Sequence, residues 1–76
     1  MVRLSLSTGK KQGVRPSDVV GAIASHANIP GSTIGKIFIQ DQRTLVDVEE
    51  QYVSRVLGKT GSYRVRQFEN VTVERA

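Results

Sequence analysis

Residues 8 to 16 read TGKKQGVRP, which places three cations and two glycines within nine positions. Residue types in that pattern can serve a phosphate in two ways. Glycines let successive backbone N–H groups turn toward one point and cradle an anion, helped by the partial positive charge at the start of a following helix. Lys10, Lys11 and Arg15 can instead project as separate charges that meet the backbone of a polyanion. The first use belongs to a catalytic loop and the second to a binding surface, with a plain solvated turn as the third possibility. An ATP-type phosphate loop is excluded, because Leu4 stands where its first glycine belongs and Lys11 where its Ser or Thr would meet magnesium.

Other groups with chemical potential are few. His26 is the only histidine, has no cysteine to accompany it, and reads as a solvated helix residue rather than a base or a ligand. Asp47, Glu49 and Glu50 suit the opening turn of a helix, where acids offset the helix dipole without any metal. With no cysteine at all, neither a disulfide nor a thiolate site can staple the chain, which fits a reducing cytoplasm. No segment approaches the roughly 20 apolar residues that span a bilayer, so no membrane partner is expected.

A chain of 76 residues forms one domain with a thin core. Its 38% hydrophobic and 24% charged residues are those of a globular protein. Eleven Lys and Arg against 7 Asp and Glu give a formal charge of +4, with a pI near 10.0. That balance favours a polyanion partner. The charges are also sorted: Lys10, Lys11 and Arg15 share one acid-free stretch, and Arg55, Lys59, Arg64 and Arg66 share another.

The elements that must position these groups follow from periodicity. VRLSLS at 2 to 7 alternates as a half-buried strand with Leu4 and Leu6 on one side. Pro16, Ser17 and Asp18 supply helix-start chemistry, and Val20, Ile23, Ala24 and Ala27 follow at helical spacing until Asn28, Pro30 and Gly31 end the run. Gly21, inside that helix, suggests tight packing against another element. IGKIFIQ at 34 to 40 and RTLVDV at 43 to 48 predict a hairpin in which Phe38, Arg43, Leu45 and Asp47 face outward. Tyr52, Val53, Val56 and Leu57 mark a second helix that stops near Gly58. YRVRQF, a turn at Glu69 and Asn70, and VTVER predict a small ribbon that leads into a last strand. The order βαββαβ implies an α+β fold of the ferredoxin-like kind, a four-stranded antiparallel sheet with two helices on one face.

The stretch GKKQGVRPSDVVGAIASHANIPGSTIGKI, residues 9 to 37, resembles the C-terminal RNA-binding domain of bacterial DEAD-box RNA helicases of the DbpA and DeaD type. GVRPSDVVGAIA, IPGSTIGKI and the closing NVTVERA carry most of the likeness, which extends over nearly the whole chain. It implies an RNA-recognition-motif fold over residues 1–76, cut from the C-terminus of a longer helicase chain. It also implies that structured RNA, of the ribosome in the DbpA branch, is the partner. The domain would guide the helicase core of its own chain, where ATP and magnesium belong; no cofactor is expected in the domain itself.

Domains with that fold usually stack bases on aromatic rings of the outer sheet face, and here the matching positions hold Ser5, Arg43 and Leu45. Only Phe38 offers a ring on that face. RNA affinity is therefore expected from the basic loops: Lys10, Lys11 and Arg15 first, Arg64 and Arg66 as a second wall, and Arg3, Lys36 and Arg43 along the sheet. Two other readings stay open. GKKQGVR is similar to part of the phosphate loop of acylphosphatases, which share the topology, although Pro16 stands where their arginine belongs. A sheet face poor in rings could also serve a protein partner through Phe38 and Leu45.

Overall fold

The computed structural model describes residues 1–76 as a helix layer on a sheet. Strand β1 (Val2–Leu6) leads through a 3-10 turn at Lys10–Gln12 into helix α1 (Pro16–Ala27), then strands β2 (Ile34–Ile39) and β3 (Thr44–Val48). Helix α2 (Glu50–Leu57), the ribbon strands β4 (Tyr63–Val65) and β5 (Phe68–Val71), and strand β6 (Val73–Arg75) complete the chain. The sheet has the order β2-β3-β1-β6 with every pairing antiparallel, as the ferredoxin-like reading requires. No helix is long and apolar enough to cross a membrane.

Local chemistry accounts for each boundary. Pro16 presets the first helical φ of α1, and the Asp18 carboxylate accepts the Arg15 N–H at 2.9 Å. Asn28 ends the helix in the left-handed region at φ 57. The buried stripe of α1 is Val19, Ile23 and Ala27, with Val20 and Ala24 half-buried. Ile23 and Ala27 are buried as expected, whereas Val19 takes the place expected of Val20, because adjacent valines offer the sheet two neighbouring positions and only the sheet beneath chooses between them. Helix α2 buries Val53 and Val56 as expected.

The ribbon departs from the expected turn. It reverses at Arg66 and Gln67, pairing Val65 with Phe68, and Arg66 takes the left-handed φ of 56. Two-residue hairpin turns favour Asn and Gly, so Val65-Arg66-Gln67-Phe68 does not look like one in sequence, whereas Asn70 does.

Three layers share the core. Leu4, Leu6, Val46, Val48 and Val73 rise from the sheet, α1 and α2 cover them, and Tyr63, Val65 and Val71 close the side from the ribbon. Tyr63 has no exposed surface, and its hydroxyl donates to the Val56 carbonyl at 2.8 Å. Burial pushes its phenol from the ordinary 10.0 up to about 12. The unfolded chain releases that proton first, so stability present below about pH 10 is lost as pH climbs toward about 12. Tyr63→Phe takes one donor from the Val56 carbonyl, which still accepts the Lys59 N–H at 3.2 Å, and is expected to cost about 1 kcal/mol at pH 7. It also removes the phenol that titrates, so the gap to the parent protein should narrow by pH 11; urea unfolding at the two pH values measures both effects.

Gly21 is not packed against anything. Nothing lies within 4 Å of the place a Cβ would occupy, although glycine in a helix interior costs about 1 kcal/mol relative to alanine.

Candidate functional site

The basic loop after β1 is fastened to the β2–β3 turn. Gly9 N–H donates to Gln12 Oε1 at 2.8 Å. Lys10 N–H reaches the Gln40 carbonyl at 2.7 Å, and Lys11 N–H the Asp41 carbonyl at 3.0 Å. Gln12 and Gly13 donate to the carbonyls of Gly9 and Lys10 within the loop itself. Beneath them the Thr44 hydroxyl donates to the Thr8 carbonyl at 2.9 Å. All five amides from Gly9 to Gly13 are therefore engaged, and none is free to cradle a phosphate. The acylphosphatase-like use of this loop fails on that geometry.

The side chains remain available. Lys10 and Lys11 are exposed and take part in no ion pair. Arg43, expected in the third strand, lies just before it in the turn, where its Nε donates to Gln40 Oε1 at 2.7 Å. Because the turn and the loop are bonded together, Arg43 stands on the same surface as the two lysines. A shallow cleft of about 580 Å³ there is lined by Lys11, Gln40, Asp41, Gln42 and Arg43. Sequence reasoning missed Gln40 and Gln42; their amides become relevant only once the turn is docked on the loop.

The outer sheet face is differently disposed. Phe38, Leu45, Ser5 and Glu74 form one row across the four strands, and Arg3 lies opposite Asp47. Arg3 donates twice to Asp47, at 2.9 and 3.3 Å, while its guanidinium sits 4.7 Å from the Phe38 ring centre. The hydrogen bonds from Arg3 hold the Asp47 carboxyl below the usual carboxylate range, and the charges of Arg3 and Lys36 add to this against partial desolvation. The face thus sets Arg3 and Lys36 against Asp47 and Glu74, and one side of its only ring is covered by a cation.

Arg15 opens α1, exposed and without an ion pair. Arg64 and Arg66 lie on the ribbon, which packs on α1 and not on the outer sheet face. Arg66 reaches Asp18 of α1 at 3.4 Å, and Arg64 approaches Glu69 at 4.0 Å. His26 is not merely solvated: its Nε2 lies 2.8 Å from Ser62 Oγ, and its ring meets Tyr63 edge-on at 5.2 Å between centres.

The fold is a ferredoxin-like sandwich, with the cations Lys10, Lys11 and Arg43 free of ion pairs on the loop and turn and with charges of both signs on the outer sheet face. The family model of the DbpA RNA binding domain matches residues 3–75, and the chain belongs to that family. It is an RNA-binding module, and RNA is its partner. A comparison with curated proteins gives no match.

Proposed function

We propose that this domain is the C-terminal appendage of a DEAD-box RNA helicase and carries the ATP-driven core of that enzyme to structured ribosomal RNA in the cytoplasm. One observation carries the placement of the RNA: Lys10, Lys11 and Arg43 share the loop and turn surface without ion pairs, while Arg3 is held by Asp47. Contacts from such cations to phosphates supply affinity and position but no base sequence, so the domain reads the shape of a folded strand. ATP and magnesium act in the core of the longer protein in this reading. The DbpA family match supports a hairpin of the large-subunit ribosomal RNA over a broader choice.

Mobility-shift titration of such a hairpin, against a random single strand of equal length at two salt concentrations, tests the reading. The hairpin is expected to bind at least about tenfold more tightly at both. Equal affinity for the two RNAs would reject shape recognition.

A further inference from the structure

The arginines of the chain are held in different ways. Arg3 donates to Asp47 and Arg66 to Asp18, while Arg64 comes within 4.0 Å of Glu69, so each of these guanidinium groups faces a carboxylate that offsets its charge. Arg55 donates to a backbone carbonyl, that of Asn28, at 3.3 Å. Arg43 alone is held by a neutral side chain: its Nε donates to Gln40 Oε1 at 2.7 Å. Asp41 lines the same cleft but forms no ion pair with Arg43 or Lys11.

The backbone that carries this acceptor is pinned on both sides. The Gln40 carbonyl accepts the Lys10 N–H at 2.7 Å, and the Gln40 N–H donates to the Arg43 carbonyl at 2.8 Å. A bond through Nε leaves Nη1 and Nη2 of Arg43 free at the far end of the guanidinium. Those two nitrogens form the fork that takes two oxygens of one phosphate. A carboxylate in place of the Gln40 amide would hold the fork equally well and cancel its charge, as Asp47 does for Arg3. The neutral amide oxygen orients the group and leaves its charge for a ligand. An arginine already held also loses less freedom when the ligand arrives, so the bond raises affinity without adding a contact.

We propose that Gln40 is a positioning residue of the RNA-binding surface: it holds Arg43 by Nε so that the fork of Nη1 and Nη2 grips one backbone phosphate at two points, with Lys11 in the same cleft. The assignment rests on the RNA-binding reading above and deepens it. Position 43 then requires arginine, because a lysine has neither the fork nor an Nε to be held by.

Fluorescence titrations of the hairpin across a salt series test the assignment. Gln40→Met keeps the side-chain length and both backbone bonds but removes the acceptor. It should weaken binding about fivefold and leave the slope of log affinity against log salt unchanged, since no cation is lost. Gln40→Glu keeps an acceptor but adds a charge, so it should lower the slope by about one contact. Arg43→Lys should cost about fivefold in the parent protein and less than about twofold in Gln40→Met, the coupling that a shared bond produces. In NMR spectra of the free domain, the Arg43 Nε–H should be protected from exchange with water in the parent protein and unprotected in Gln40→Met. If Gln40→Met or Arg43→Lys binds as the parent protein does, or if their losses multiply in the double variant, the Gln40 assignment is overturned while RNA binding stands. If the parent protein binds no hairpin, the RNA reading falls and the Gln40 assignment falls with it.

Discussion

Gly9→Ala is expected to lower the thermal midpoint by about 10 °C or more, a large effect for a single methyl group. Gly9 has extended backbone angles, φ −157 and ψ −157, which any residue adopts, so no conformational strain is involved. The obstacle is contact. A Cβ there would collide with the Gln40 carbonyl oxygen and would stand 2.6 Å from Arg43 N and 2.9 Å from Arg43 O. All three atoms belong to the backbone of one turn, which is closed by Gln40 N–H donating to the Arg43 carbonyl at 2.8 Å. No side chain can swing aside, so the loop must lift and lose the bonds from Lys10 to Gln40 and from Lys11 to Asp41. Overpacking of about 1–3 kcal/mol, with about 1 kcal/mol for each hydrogen bond lost, gives the stated shift. Gly21→Ala is the control: the same methyl meets open space in a helix and should hold or raise the midpoint. Calorimetric melts of the two variants beside the parent protein decide it, and a Gly9→Ala midpoint within about 2 °C of the parent would show that the loop is not seated as described.

What could be read from the sequence ended where the third dimension begins. Alternation in VRLSLS and RTLVDV set which residues of β1 and β3 face inward, and Leu4, Leu6, Val46 and Val48 are indeed buried. Period two tolerates no slip, because a shift of one residue would turn every buried side chain outward. Helix α1 was legible as a helix and in the inward placing of Ile23 and Ala27, but not in its first turn, where Val19 is buried and Val20 only half-buried. The ribbon turn was misplaced because Arg66 adopts a positive φ without the glycine or asparagine that announces one. Functional geometry was harder still. That Lys10, Lys11 and Arg15 are basic is plain in the string; that the first two stand with Arg43 depends on hydrogen bonds between segments some thirty residues apart. Arg3 shows the opposite case. It looks like a free cation in sequence, and only the strand register opposite Asp47 reveals that its charge is already met. Gly21 was taken for a packing glycine, the commoner reason for one in a helix, whereas a Cβ there would meet open space.

Reversing the three cations of the loop and turn surface, Lys10→Glu, Lys11→Glu and Arg43→Glu together, should weaken RNA binding by about 100-fold or more at low salt and flatten its salt dependence. Each phosphate contact contributes about 0.7 to 0.9 to the slope of log affinity against log salt, so losing three should reduce the slope by about 2. Stability should change little, since none of the three side chains is buried or in an ion pair. Two companions make the test specific. Arg3→Gln removes a cation that Asp47 already holds, and its slope should match the parent protein. Arg15→Glu, in a residue that no hydrogen bond joins to the loop and turn surface, should reduce the slope by no more than about one contact. Fluorescence titrations across a salt series separate these outcomes from a loss of folding, because a destabilised domain loses affinity at every salt without changing the slope of its folded fraction. An unchanged slope in the triple variant would move the RNA off this surface; an equal loss in Arg3→Gln would place it on the sheet face, where the Arg3 and Phe38 pair would then have to open to admit a base.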